Sequence, residues 1–424
     1  MIAFDPLYGR IEIPPYLSRL AVTPEVRRLS QIRLLNTASP TVATLGELRR
    51  YSHTLGVLHL FGANKLSGFS AKERMALGAS VLVHDVGTPP FGHLFEYHLR
   101  EHTGWSHEAI ANSVLAGAAA PENRAQQIFA GRALEFKREL VSACIPTDTV
   151  GAILAGQHPL SRLLFGTVDF DNIDNIGRMA WALGLAPDIA TLVSLAAAIG
   201  VSSDGELTLA QEPGRELIGK WAELRRRVYE IVVFDTPTVA AQAVLSQAME
   251  RALRERFLSE DDWSLTDEEL LAALRENVST KDSISEYWGP LPHLLFWVQV
   301  NDQLDHLFPD GRTELHRRLE SIMAAHLGTQ RVLGYSFEDR GTFEKSLRFS
   351  DPSNGEHWTI GTSSRSVILY GFSRSRDPHS YRNAVSLFHR VLEELKIPEK
   401  MILRSNFEQR ESLESGQRAF DLAP

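Results

Sequence analysis

The sequence predicts a mostly α-helical fold with a smaller α+β region toward the C-terminus. Three observations carry this. Apolar residues recur at helical spacing through the first two-thirds of the chain. Helix-start signals stand before several of those stretches. After roughly residue 328 the pattern changes to short alternating, β-branched runs punctuated by Gly, Ser and Asp.

In chain order, Thr23-Pro24-Glu25 reads as a cap, a proline at the first helical position and an acidic first turn. It leads into VRRLSQIRLL, where Val26, Leu29, Ile32 and Leu35 share a helical face. Residues 76–84 (ALGASVLVH) are nearly all apolar, which suits a buried helix running into a site; Pro89-Pro90 and Gly92 then break it. Residues 185–200 form an apolar helix rich in Ala and Leu, and 215–257 one or two long amphipathic helices. In DDWSLTDEE the Thr266 side chain accepts from the Glu269 backbone and Glu269 reciprocates. YSFEDRGTFEKSLRFSD and GEHWTIGTSSRSVILYGFSRS hold two to four strands, residues 379–396 return to helix, and the last fifteen or so are polar and frayed. The domain division expected is 1–275 for a helical core and 276–424 for a helical and small β region serving oligomerisation or regulation.

Composition narrows the class. The 424 residues are 43% hydrophobic and 23% charged, which is ordinary for a globular protein. The net charge of −9 provides no overall field to collect nucleic acid, so a polyanion needs a local basic or metal site. Cys144 is the single cysteine, which excludes an intramolecular disulfide and a cysteine zinc cluster. No basic leader with an apolar run opens the sequence, and no stretch nears the roughly 20 apolar residues of a membrane span. A cytoplasmic protein without membrane contact is the expectation.

Chemistry concentrates in one region. Five of the 15 histidines, His84, His93, His98, His102 and His107, lie between positions 84 and 107, with His53 upstream in RRYSHTLGV. His84-Asp85 closes the apolar run, and burying that pair is costly without a metal or hydrogen-bond partners. Asp169, Asp171 and Asp174 form an acidic cluster downstream, where Asp169 and Asp174 read as caps or supporting groups. Imidazole and carboxylate together suit Mn, Mg, Fe, Co, Ni or Zn, and leave the identity open. His59 and His98 read as ordinary amphipathic-face residues.

Read together, these motifs resemble the HD superfamily, and within it the deoxynucleoside triphosphate (dNTP) triphosphohydrolases. HDVGTPPFGHLFE (84–96) is similar to that family's HD segment, RRYSHTLGVLHL to its R-x-x-H-S-L-G-V segment, WSHEAIANSV to its W-x-H-E segment and TVDFDNIDNIGRMA to its D-x-D-x-x-D-Y-x-x-R-D segment. The resemblance covers roughly residues 20–275 and implies an HD-domain helical core. It implies a divalent metal held by His53, His84, Asp85 and Asp171; phosphate contact by Arg50; and His93, oriented by Glu96, near the scissile phosphate, with His107 lining the same pocket. Positions 88, 172, 175 and 178 fall on substrate contacts, occupied here by Thr88, Asn172, Asn175 and Arg178.

Several residues depart from the family pattern. Thr88 stands for a phosphate-binding histidine, Asn172 and Asn175 for a lysine and a tyrosine, Met179 for an aspartate and Glu96 for an aspartate. The resemblance implies hydrolysis of a dNTP to a deoxynucleoside and triphosphate by a homo-oligomer under a nucleotide effector. Arg225-Arg226-Arg227 reads either as an oligomer contact or as a solvated basic face. Two alternatives stay open. One is an HD enzyme acting on a monophosphate, cyclic dinucleotide or alarmone; the other is a non-catalytic nucleotide sensor. A nuclease gets no help from the charge.

Overall fold

The computed structural model describes residues 1–105, 107–117, 135–301, 307–308, 311–341, 345–362, 365–375 and 382–407, apart from the side chains at 107–109 and 340. An N-terminal hairpin of β1 (Ile2–Asp5) and β2 (Gly9–Glu12) precedes α1 (Pro24–Arg28), α2 (Ala43–Gly46), α3 (Arg50–Ala63), α4 (Ala71–Val83) and α5 (His93–Thr103). Next come α6 (His107–Ala116), α7 (Phe136–Ser142), α8 (Thr147–Leu154), α9 (Phe170–Ala182) and α10 (Ile189–Ala198). Strands β3 (Gly200–Val201) and β4 (Leu207–Thr208) lead to α11 (Gln211–Phe234), α12 (Thr236–Arg254), α13 (Asp267–Glu276) and α14 (Lys281–Trp288). The remainder is β5 (His293–Asn301), α15 (Arg312–Leu327), β6 (Val332–Arg340), β7 (Leu347–Ser350), β8 (His357–Ile360), β9 (Arg365–Ser373), α16 (Ala384–Glu394) and β10 (Ile402–Ser405). The protein is mostly helical with an antiparallel C-terminal sheet, as the sequence predicts.

One core joins α3, α4, α8, α9 and α10, and includes Leu347, Phe349 and Trp358 from the C-terminal strands. The principal sheet runs β10-β5-β9-β6, all antiparallel. Side chains alternate along β9: Ile368, Tyr370 and Phe372 enter a core with α5 and α12–α14, while Val367 and Leu369 enter another with α15 and α16. Burial on both faces makes β5 (HLLFWVQVN) a near-continuous apolar run, which periodicity cannot separate from a helix. It and β10 are not foreseen from sequence, whereas the four strands β6–β9 fall in the two segments expected to hold them. A smaller sheet, β3-β4-β7-β8, includes a parallel pairing of Thr208 with Ser350. Among the described residues, no single helix is long and apolar enough to cross a membrane.

The helix expected from Thr23 onward is corrected by tertiary pairing. Pro24 is its first residue, but it ends at Arg28; a 3-10 turn follows and Ile32 is extended. Arg33 N–H then donates to Asp267 Oδ2 and Leu34 N–H to the Leu48 carbonyl, which the helix could not allow. The helix expected over 185–200 starts at Ile189, capped by Asp188. The Thr266–Glu269 capping box is present as foreseen, worth about 1 kcal/mol. The expected helix over 379–396 appears as α16 within its described part, and the expected frayed tail lies outside the described residues from 408 onward.

Candidate metal centre and active site

The first turn of α3 carries Arg50 and His53 on one face. The buried helix α4 ends by delivering His84 as its C-cap, with Asp85 immediately after. The cap of α9 is Asp169, which accepts from Asn172 N–H at 2.7 Å and so turns Asp171 toward the two histidines.

One ring nitrogen each of His53 and His84 and an Asp171 oxygen all lie within 4.8 Å of one another. Ligand bonds of about 2.0–2.2 Å place neighbouring donor atoms about 3–4 Å apart, so this spacing suits one divalent ion. His53 Nε2 is 2.7 Å and His84 Nε2 3.5 Å from Asp171 Oδ1. His84 Nδ1 lies 2.7 Å from the Val81 carbonyl oxygen. A carbonyl only accepts, so Nδ1 carries a proton, and in the neutral ring Nε2 holds the lone pair; burial would lower this imidazole's pKa, but the Asp85 and Asp171 carboxylates raise it. That Nε2 is buried without a hydrogen-bond partner and faces the cluster. A buried imidazole nitrogen without a hydrogen-bond partner, beside a second imidazole and a carboxylate, is a donor set that a divalent cation fits.

Asp85 stands next to this trio. Its Oδ2 is 3.7 Å from His84 Nε2, while Arg50 Nη1 donates to both its oxygens at 2.9 Å and Thr88 Oγ1 donates to Oδ1 at 3.0 Å. The expected fourth ligand is therefore adjacent to the cluster but paired with arginine. Electrostatics follow from these contacts. Burial alone would lower His53, but the hydrogen bonds and charges of Asp171 and Asp174 outweigh it and hold it up at about 10. Burial would raise Asp85 and Asp171; the Arg50 guanidinium holds Asp85 low, and the histidines hold Asp171 low. Asp169 is pushed up by burial and by the Asp171 charge.

The turn between α4 and α5 is locked from outside. Buried Arg28 donates to the carbonyls of Thr88, Trp263, Ser264 and Leu265, and Asp267 Oδ1 accepts from Phe91 N–H. Gly92 has φ +52°, and a Cβ there would lie 2.7 Å from Arg50 Nη2, so glycine admits the guanidinium. His93 then opens α5 with its side chain 70% exposed and its Nδ1 2.9 Å from Glu96 Oε2; buried Glu96 also accepts from Arg100 at 2.6 Å. The relay expected of His93 and Glu96 has hydrogen-bonding geometry. The His107 side chain lies outside the described residues; its backbone starts α6.

A cavity of about 330 Å³ adjoins His93. Asn175, Tyr229, Gln242, Arg312 and Tyr335 line it among apolar residues of α11 and β6. Its volume is at the lower end of small-ligand pockets. Asn175, one turn beyond Asp171 on α9, lines it with a buried, unpartnered Oδ1. Thr88 and Asn172 are instead engaged with Asp85 and Asp169.

Arg178 requires a correction. It is fully buried, donates to both oxygens of Asp174 at 3.0 Å and to Asp5 Oδ2 at 2.8 Å, and has no exposure through which to contact substrate. Asp174 in turn accepts from His53 Nδ1 at 2.7 Å, so the supporting role read for it holds. Sequence reading missed Asp5, Tyr229, Gln242, Arg312 and Tyr335. Of these only Asp5, in FDPLYG, carried a local turn signal. Arg225 is buried against Trp221 and Tyr229 and Arg226 pairs with Glu223 and Glu230, so the three arginines do not form one solvated face. His98 is buried with Nε2 on Ser246, and His59 packs on Tyr8.

No family model matches this chain. It is 33% identical over 116 residues to the deoxynucleoside triphosphate triphosphohydrolase SAMHD1 of Homo sapiens, a match spanning 24% of this chain and 18% of that protein. The chain thus matches less than a fifth of that relative's length. It is 23% identical over 257 residues to the uncharacterized protein YwfO of Bacillus subtilis, covering 58% of this chain and 55% of that one. Among solved structures, a phosphohydrolase of Bacteroides thetaiotaomicron superposes with a TM-score of 0.63 at 18% identity, covering 88% of this chain and 100% of that one. A hypothetical protein of Aquifex aeolicus gives 0.64 at 16% identity over 92% and 99%. The chain therefore shares its fold with these two solved structures, one of which is a phosphohydrolase. The sequence likeness to a dNTP triphosphohydrolase is partial and confined to about a quarter of the chain.

Proposed function

We propose that this protein is a metal-dependent phosphohydrolase that cleaves dNTPs to a deoxynucleoside and inorganic triphosphate. The observation that carries the reading is the convergence of His53, His84 and Asp171 within 4.8 Å, with His84 Nε2 buried and unpartnered. His53, His84 and Asp171 would hold the ion, with Asp85 beside them. When bound, such a cation supplies Lewis-acid chemistry toward a phosphoryl oxygen and a water.

The chain's own residues do the rest. Arg50 Nε is buried without a partner, so the guanidinium retains donor capacity for phosphate after holding Asp85. Water oxygen bonds to the α-phosphorus as the bond to the deoxynucleoside oxygen breaks. His93, held through Nδ1 by Glu96, passes a proton from Nε2 to that leaving oxygen. The cavity beside His93 takes the nucleoside between Tyr229 and Tyr335, with Asn175 and Gln242 as polar contacts. The partial likeness to SAMHD1 supports the dNTP assignment.

A second reading, another nucleotide substrate on the same centre, is favoured by Thr88 and Asn172 being committed to Asp85 and Asp169. A panel of dNTPs, monophosphates, cyclic dinucleotides and alarmones with Mn²⁺, Co²⁺ or Mg²⁺, with products resolved by anion exchange, separates the two. Triphosphate from dNTPs supports the main reading; orthophosphate or pyrophosphate, or turnover of another class alone, rejects it. Homo-oligomerisation and a nucleotide effector belong to the same proposal, and light scattering with and without added nucleotides tests them.

A further inference from the structure

The side chain that steadies His53 is itself held by a buried relay reaching the N-terminal hairpin. His53 Nδ1 donates to Asp174 Oδ2 at 2.7 Å. Arg178 grips Asp174 through two parallel bonds, Nε to Oδ2 and Nη2 to Oδ1, each 3.0 Å. Its remaining nitrogen, Nη1, donates to Asp5 Oδ2 at 2.8 Å. Asp5 Oδ1 meanwhile accepts from the N–H groups of Leu7 and Tyr8, at 2.9 and 3.1 Å, closing the turn between β1 and β2. All four residues are buried. Gly56 on α3 leaves no room for slack, because a Cβ there would lie 1.9 Å from Asp174 Oδ1 and 2.4 Å from Arg178 Nη2. Helices α3 and α9 therefore close directly over the relay.

We infer that Asp5 is a positioning residue for the metal ligand His53, acting through Arg178 and Asp174; this rests on the reading of His53 as a ligand. Two physical effects follow from the geometry. Asp5 pins the guanidinium in the plane that presents both oxygens of Asp174, so the imidazole is aimed with Nε2 toward His84 and Asp171. Asp5 also shares the Arg178 charge, which keeps Asp174 a strong acceptor for the Nδ1 proton. A carboxylate behind a ligating histidine raises the ligand's donor strength, and its loss typically costs 10–100-fold in metal affinity. With Asp5 neutralised, Arg178 acts on Asp174 alone and weakens that support from a position 48 residues before His53 (53 minus 5).

The test is Mn²⁺ affinity of the full chain by calorimetry after chelation, for wild type, Asp5→Asn, Asp5→Glu, Arg178→Lys and Asp174→Asn. Asp5→Asn and Arg178→Lys should each weaken Mn²⁺ binding about tenfold or more, with Asp5→Glu recovering part of the loss. Asp5→Asn combined with Asp174→Asn should bind no worse than Asp174→Asn alone, because the two act in series. Wild-type affinity in folded Asp5→Asn or Arg178→Lys, or additive losses in the double variant, would overturn the inference while leaving the metal centre intact. Absence of Mn²⁺ binding by the wild type would instead remove the reading on which it rests.

Discussion

His53 Nε2 and Asp171 Oδ1 lie 2.7 Å apart although 118 residues separate them in the chain. Helices α3 and α9 bring the two atoms together, and His84 from the end of α4 closes the trio. Removing a member should therefore affect metal before fold. His84→Ala and Asp171→Ala are each expected to lower bound metal by at least tenfold and abolish turnover, with the helical circular dichroism retained. Metal analysis by mass spectrometry beside an activity assay checks this; activity surviving in either variant overturns the ligand assignment.

Arg50 and Asp85 form a buried pair, 6% and 7% exposed. Arg50→Ala leaves a buried carboxylate uncompensated, and the expected loss of stability is about 3–5 kcal/mol. Denaturant titration reads it. Arg50→Lys should keep more of that stability yet lose at least about tenfold in kcat/KM, because a point charge does not reproduce the guanidinium fork. Equal activity of Lys and Arg at this position would contradict phosphate contact by Arg50.

His93 is exposed at the mouth of the site while Glu96 behind it is buried. Glu96→Gln should lower kcat by about 10²-fold, within the usual range for general acid–base groups, with Mn²⁺ affinity unchanged. Steady-state kinetics at saturating metal separates this from ligand loss. A fall in metal affinity without a fall in kcat would assign Glu96 to the ion instead.

The cavity beside His93 should accept the nucleoside. Val232 lines it and is half-buried, so Val232→Trp fills the space with little disturbance of the core. The expected result is a rise in KM of about tenfold or more with metal content unchanged. An unaltered KM would place the substrate elsewhere.

His98 provides a pH test away from the candidate metal centre. Burial, reinforced by the Arg312 and His102 charges, pushes its imidazole down to about 3, and His316 nearby is also held low by burial. Between pH 6.5 and about 3 the unfolded chain binds the His98 proton and the folded one does not, so His98 lowers stability as pH falls through that window. Full stability from this group is present above pH 6.5. His98→Gln should flatten the pH dependence of unfolding free energy there by up to about 1.4 kcal/mol per pH unit. Parallel curves for the two proteins would mean that His98 titrates normally.

Much of the fold was legible because helices are written locally. The apolar run before His84, the Thr266–Glu269 box and the long amphipathic stretch that becomes α11 and α12 each depend on neighbours within a few residues. The motif residues His53, His84, Asp85, His93, Glu96 and Asp171 were also legible, since their types and order state a chemistry before any contact is known. β5 was not, because burial on both faces erased the alternation that marks a strand. Nor was the end of α1, where bonds to Asp267 and Leu48 override a continuing helical pattern.

By itself, then, the chain specified its helical class and the side chains available for chemistry. The tertiary structure decided which of them converge within reach of one ion, that Asp85 faces Arg50, and that Arg178 is a buried clamp on Asp174. The reason is that local periodicity sets backbone geometry over a few residues, whereas a polar side chain's role depends on the partner it meets. Those partners come from helices and strands far away in sequence.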